Sequence, residues 1–176
     1  MKRILGLLVA LTLGTLAVTA SDLENLGPDV GTKIPHDLSS VDSAGAPQSF
    51  DSLKGEKGAV VVFFRSAKWC PFCQGQLISL ETIAEDIRGK GYNLIAISYD
   101  PIEELAKFKT RRDISYPLLS DKDSEIIDAF DIRNDKFKPG HYAYGVPHPL
   151  IAFVDTDGVI KAKLYEESFK NRPELE

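Results

Sequence analysis

Strands that alternate with helices and finish in a hairpin predict an α/β fold, a mixed central sheet flanked by helices. Three stretches carry that expectation. Residues 59–64 are an unbroken β-branched and aromatic run, the pattern of a central strand buried on both faces. In residues 71–88, Leu77, Leu80, Ala84 and Ile87 recur at three- and four-residue intervals with Ile83 beside them, which predicts an amphipathic helix stopped by Gly89-Lys90-Gly91. Asp155-Thr156-Asp157-Gly158 separates the apolar stretches 150–154 and 159–164, and its Asp-Gly pair signals a hairpin turn.

The remaining elements follow in chain order. Residues 21–57 are polar and broken by Gly27-Pro28, Gly31, Pro35, Gly45, Pro47 and Gly55, so they are expected to form a loop with one short hairpin, ending in a turn at 54–58. Residues 93–98 make a second strand. Asp100-Pro101 then opens a helix through Phe108, with Pro101 suited to the first helical position. Residues 116–120 are extended, and a further helix lies near 124–130.

The chain begins with an expected export signal. Lys2 and Arg3 give a charged start, residues 4–18 an apolar stretch, and Val18-Thr19-Ala20 a small-residue cleavage site. The apolar part is too short and too rich in Gly and Thr for a transmembrane helix, although an uncleaved anchor is the rival reading. No cysteine follows it to carry a lipid. The expected organisation is therefore a signal peptide at 1–20, an extension with a hairpin at 21–57 and one domain over 58–176, exported to a periplasmic or secreted location. Without Lys2 and Arg3 the 21 basic residues become 19 against 26 acidic ones, a formal charge of −7. Such a charge argues against nucleic acid and anionic membrane surfaces as partners.

Only two cysteines are present, and they stand together as Cys70-Pro71-Phe72-Cys73 after Trp69, where the apolar strand gives way to the helix. Pro71 fits the first helical position because its missing N–H would have no partner there and its φ is already helical. Cys70 then caps the helix and Cys73 is its third residue. A thiolate on Cys70 would face free N–H groups and the positive end of the helix dipole, which lower its pKa, and only the thiolate is a nucleophile. Lys68 would add positive potential or stand solvated. Cys73, further in, is assigned as the resolving thiol.

Three other uses of the pair compete with redox chemistry. A structural disulfide over so short a loop restricts the unfolded chain little. Zinc would need two more ligands, and His36, His141 and His148 show no paired spacing, so no metal is expected. Haem attachment needs His directly after the second Cys, where Gln74 stands. No cofactor is called for.

Taken in order, Val61-Val62-Phe63-Phe64 with Trp69 to Cys73, Ala96-Ile97-Ser98-Tyr99-Asp100, Tyr116-Pro117-Leu118-Leu119-Ser120-Asp121, and Gly145-Val146-Pro147-His148-Pro149 leading to Phe153-Val154-Asp155-Thr156-Asp157-Gly158 form a set. That set resembles the thioredoxin-fold redoxins of the alkyl hydroperoxide reductase/thiol-specific antioxidant (peroxiredoxin-like) superfamily, over about residues 27 to 165. The resemblance implies a thioredoxin-like α/β fold. The chain stops at Arg172-Pro173-Glu174-Leu175-Glu176, where the family's terminal helix begins, so that helix is expected to be shortened. A second subunit is one way to cover the face it would leave.

Peroxiredoxins of this superfamily carry a Thr three residues before the peroxidatic cysteine and an Arg at the start of the late strand; this chain has Ala67 and Pro149. Thioredoxin-like members have a cis-proline facing the cysteine pair at the second position, and Pro149 fits it better than Pro147. Pro149 with His148 and Trp69 is thus expected to shape the groove, framed by the Tyr99-Asp100 strand end and residues 131–144 with Tyr142 and Tyr144. Thioredoxins also place a buried Asp six residues before the nucleophile, where Phe64 stands, so His148 is the candidate base for Cys73. His141 and His36 are expected at the surface.

The weighting favours thiol-disulfide exchange. Cys70 attacks a disulfide of a protein or small thiol partner, and Cys73 resolves the mixed disulfide. Dithiol motifs of this kind span roughly −270 to −120 mV, which leaves reductant, oxidant and isomerase roles open. An exported reductant would draw electrons from a membrane-borne thiol donor. Two alternatives stand beside it: a thiol peroxidase with Cys70 peroxidatic and Cys73 resolving, and a non-enzymatic binding module on the same fold.

Overall fold

The computed structural model describes residues 26–165. The expected signal at 1–20 and the shortened terminal helix lie outside those residues. Seven strands form one mixed sheet in the order β2-β1-β5-β4-β3-β6-β7. Its centre is β3 (Gly58–Phe63), buried at every position, as the apolar run requires. β3 pairs parallel with β4 (Tyr92–Ser98) and antiparallel with β6 (Leu150–Val154). β5 (Leu118–Ser120) extends the parallel side, and β6 turns through Asp155–Gly158 into antiparallel β7 (Ile160–Leu164). Because β3 and β4 run the same way while β6 runs back, the carboxyl ends of two strands meet the start of a third. Phe63 lies between Ile97 and Leu150 at that edge.

Period-two alternation sorts the core into two layers. Ala59, Val61 and Phe63 point with Ile95, Ile97 and Ala152 to one face, where Leu38, Phe50, Ile127 and Phe130 cover them. Val60, Val62 and Phe64 point with Leu94 and Ala96 to the other, beneath Leu77, Leu80 and Ala84 of α2 (Pro71–Gly89) and Leu105 and Phe108 of α3 (Ile102–Arg112). Gly58 opens β3 with φ +125, and a Cβ there would lie 1.9 Å from the carbonyl oxygen of Val154. Only glycine lets β3 and β6 close at that end.

The extension folds more than its composition suggests. β1 (Ser40–Asp42) and β2 (Pro47–Gln48) form the expected hairpin, and β1 adds antiparallel to β5. A single-turn helix, α1 (Phe50–Leu53), was not expected. Its signal is a short capping box: Ser49 and Ser52 bond each other's backbone N–H, while Phe50 and Leu53 face the core. α3 also departs from expectation. Pro101 is its N-cap rather than its first helical residue, with extended ψ 156, and the helix runs on to Arg112. Lys109, Arg111 and Arg112 favour that last turn through the helix dipole, and Asp113 ends it in the left-handed conformation at φ 51. α4 (Glu125–Ala129) is the short helix expected near 124–130.

Beside α2, Ile83, Ile87, Tyr92, Ile151, Phe153 and Leu164 line an open groove of about 390 Å³. Among the described residues no helix is long and apolar enough to cross a membrane, and no group of three or more His, Cys, Asp or Glu is placed to hold a metal.

Candidate active site

Cys70 is the N-cap of α2 and Cys73 its third residue, and the two are joined as a disulfide with Cα atoms 5.2 Å apart. Pro71 occupies the first turn as expected. The Cys73 N–H donates to Cys70 Sγ at 3.2 Å, the bond by which a capping side chain satisfies an otherwise unpaired helix donor. Both cysteines are buried, Cys70 at 2 % exposure and Cys73 at 0 %, so the expected difference between them is negligible in this oxidised form. In the reduced form two effects oppose each other at Cys70. Burial raises a thiol's pKa, while a helix N-terminus favours an anion by up to ~2 kcal/mol and a charge-assisted N–H bond adds about 1.5–3 kcal/mol.

The four residues before the cysteine are held by side chains rather than by a strand or helix ladder. Gln74 Nε2 donates to the carbonyls of Ala67 (2.8 Å) and Lys68 (3.2 Å). Ser66 Oγ accepts the N–H groups of Lys68 and Trp69. The Ser66 hydroxyl and the Ala67 N–H both donate to Asp100, which burial pushes up from the ordinary carboxylate range while the bonds from Ser66, Ala67 and Ser98 pull it back. Lys68 turns outward, its ammonium 3.4 Å from Glu104, and is the solvated reading of that residue.

An aromatic wall closes the site. Trp69 Nε1 donates to the Tyr99 hydroxyl, which donates to the Tyr142 carbonyl, each at 2.9 Å. The Trp69 ring meets Tyr142 edge-on with centroids 5.3 Å apart. Arg65, 6 % exposed, lies over the rings of Trp69 (4.9 Å) and Phe137 (5.5 Å). Burial lowers its pKa, yet a guanidinium keeps its proton in proteins, so it remains a cation stacked on two π faces. The segment between α4 and β6 thus frames the groove. His141 stacks with Phe137 and Tyr142 and is exposed, with Nδ1 accepting from the Ala143 N–H. His36 is half-buried rather than at the surface because its Nδ1 accepts from the Leu38 N–H, tying it to a buried turn.

Pro149 directly precedes β6, whose first residue, Leu150, pairs with Phe63. That is its place along the chain; the expected cis peptide is absent, because the described residues contain no cis bond. Trans is the lower-energy form of an X-Pro bond, and this stretch is anchored in it by the Arg133–Pro147 bridge and by the His148 N–H donating to the Ile132 carbonyl at 2.7 Å. His148 itself is half-buried. Burial holds its imidazole below the ordinary value, with Lys136 and Arg65 acting in the same sense and Asp135 against them. It is a neutral ring near neutral pH, the form a base needs. Phe64, where thioredoxins have an acid, is fully buried in the apolar layer.

Sequence reasoning missed Arg65 and the Ser66–Asp100 pair as parts of the site. Period two along β4 was the available signal, because it puts Ser98 and Asp100 on the same face as Leu94 and Ala96, which is the face that carries Cys70 and Cys73. The AhpC/TSA family model matches residues 30–163, a span that takes in the cysteine pair, all four helices and β3 to β6 whole.

The chain belongs to the AhpC/TSA family. A putative peroxiredoxin of Mycobacterium tuberculosis is 32 % identical over 124 residues, which cover 70 % of this chain and 77 % of that protein. Peroxiredoxin Bcp of Escherichia coli is 26 % identical over 120 residues, 68 % of this chain and 75 % of its own. The fold is likewise shared with solved structures. Peroxidoxin BcpB of Mycobacterium tuberculosis superposes with a TM-score of 0.67 at 23 % identity, covering 80 % of this chain and 88 % of that one. A thiol peroxidase from Chromobacterium violaceum gives 0.68 at 18 %, covering 82 % and 80 %. This AhpC/TSA protein is thus a thioredoxin-fold redoxin, and its family makes it an oxidoreductase.

The His148 environment has a consequence for stability. Its folded pKa is depressed below the unfolded value of about 6.5, so the unfolded chain binds protons first on acidification. The stability this gives is complete above the unfolded pKa and is lost as pH falls through the folded value. Thermal melts should show the wild type losing Tm relative to His148→Gln between about pH 7 and pH 5; parallel curves would remove the shift.

Proposed function

We propose that the protein is a peroxiredoxin-type thiol peroxidase in which Cys70 is the peroxidatic and Cys73 the resolving cysteine. The observation that carries this reading is the Cys70–Cys73 pair at the cap of α2 in a chain whose curated relatives are peroxiredoxins. The Cys70 thiolate attacks the terminal oxygen of a hydroperoxide. The O–O bond breaks, an S–O bond forms, and the departing alkoxide or hydroxide takes a proton to leave as alcohol or water, with Cys70 as sulfenic acid. Cys73 then attacks the Cys70 sulfur, the S–O bond breaks, the Cys73 proton leaves with the oxygen as water, and the disulfide remains. An external dithiol restores both thiols by exchange. Since the two sulfurs sit three residues apart on one turn, resolution needs no unfolding of α2.

Two features of the site support a peroxide substrate despite Ala67 and Pro149 at the positions where peroxiredoxins carry Thr and Arg. Arg65 places a buried cation over the ring next to Cys70 in sequence. Both sulfur-bearing residues are almost fully buried, which suits a small substrate better than a bulky one. A second reading, exchange with protein disulfides, keeps its own support in that same Ala67 and Pro149 and in the dithiol spacing. Trp69 and Pro149 would then line the partner's groove.

Residues 1–20 are proposed as an export signal. The enzyme then works outside the cytoplasm, and its disulfide draws electrons from a thiol donor held at the membrane. Intact mass of the mature protein should correspond to a chain beginning at Ser21, and a retained Met1 would contradict export by cleavage.

Stopped-flow oxidation by hydrogen peroxide separates the two chemistries. The reduced wild type should react at least about a hundredfold faster than a free thiol, Cys70→Ser should lose that phase, and Cys73→Ser should keep it but stop at a trappable sulfenic acid. Peroxide rates no better than a free thiol, with rapid insulin reduction, would establish disulfide exchange instead.

A further inference from the structure

Asp100 lies two residues past the end of β4, on the side of the sheet that carries α2, and is 3 % exposed. Its carboxylate accepts from the Ser66 hydroxyl at 2.7 Å, the Ala67 N–H at 2.6 Å and the Ser98 hydroxyl at 2.9 Å. Ser66 Oγ accepts in turn from the N–H of Lys68 at 3.0 Å and of Trp69 at 3.3 Å. One buried carboxylate therefore controls three successive peptide N–H groups, those of residues 67, 68 and 69, immediately before the reactive cysteine. An ionised carboxylate is acceptor-only, so all its donors can converge without conflict. An amide would bring a donor among donors.

The position of Cys70 depends on those three peptides. Its sulfur must lie within bonding distance of the Cys73 N–H for the helix tip to favour the thiolate, and that contact is 3.2 Å. No strand ladder reaches residues 66–69, and their N–H groups turn to Asp100 and Ser66 instead. We propose that Asp100, acting through Ser66, is a positioning residue that holds the Cys70 sulfur at the tip of α2 and so sets its reactivity. This rests on Cys70 being the nucleophile, whichever oxidant it meets. The carboxylate's charge works the other way, because an anion nearby disfavours a second one. Position and charge can therefore be told apart by a variant that frees the peptides but keeps the carboxylate: losing the Ser66 bond lets the Asp100 pKa rise, and any charge so lost would lower the Cys70 pKa, whereas lost position raises it.

Ser66→Ala is that variant: it keeps Asp100 and its bond to Ala67 but releases the N–H groups of Lys68 and Trp69. In full-length chains that also carry Cys73→Ser, the rate of alkylation by iodoacetamide against pH reads the Cys70 thiolate directly. Ser66→Ala should raise the apparent Cys70 pKa and slow alkylation at neutral pH by roughly tenfold, and Ser66→Thr, which keeps the hydroxyl, should restore both. Ser120→Ala is the control for simple loosening. It removes a buried bond to the Asp100 carbonyl (2.8 Å) without touching residues 66–69, and should leave the profile in place. An unchanged profile in Ser66→Ala, or an equal shift in Ser120→Ala, overturns the positioning role while leaving the nucleophile intact. A Cys70 that alkylates like a free thiol even with Ser66 present defeats the nucleophile assignment itself.

Discussion

The contact on which the chemistry depends is the N–H of Cys73 pointing at the sulfur of Cys70. It exists because α2 begins where it does, and α2 begins there because Pro71 pre-sets the first helical φ while Cys70 stays extended at φ −101 and ψ 97. Buried among apolar side chains, a thiol by itself would hold its proton more tightly than in water. In the proposed mechanism the helix tip reverses that preference, and the short spacing places the second sulfur where it can displace whatever the first has bound. Everything else in the site keeps this geometry in place or decides what reaches it.

The sheet supplies the frame. Parallel β3 and β4 bring their carboxyl ends to one edge, and antiparallel β6 starts beside them, so the cysteine loop, Asp100 and Pro149 converge from segments far apart in sequence. Loops at the carboxyl ends of strands commonly carry function on a rigid support. Here the support is unusually complete around residues 66–69, and the outer wall of Trp69, Tyr99 and Tyr142 is bound by hydrogen bonds as well as by ring contacts.

Much of the architecture was legible because its signals are local. The apolar run of β3, the periodicity of α2 and the Asp-Gly turn before β7 each declare themselves within a few residues, and the cysteine pair declares its helix cap through Pro71. What escaped depends on partners distant in sequence. Asp100 looked like a helix opener beside Pro101, and only the pairing of β4 with β3 turns its carboxylate toward Ser66 and Ala67. Arg65 drew no reading from the sequence, because its partners Trp69 and Phe137 meet it only in the fold. Pro149 precedes β6 with a trans peptide, beside the hydrogen bond of His148 to Ile132, a contact that no local pattern encodes. The weighting toward disulfide exchange rested on the dithiol spacing, the fit of Pro149 and two missing side chains, and it could not take in Arg65, whose cation lies just past β3 over the Trp69 ring.

Titration of the Cys70 thiol in the reduced protein, followed by thiolate absorbance with Cys73→Ser in place, tests the central claim most directly. The account predicts a pKa at least about two units below the free-thiol value of ~8.5, so that Cys70 is largely an anion at neutral pH. A pKa at or above that value would mean that burial wins over the helix tip, and the mechanism would fail at its first step.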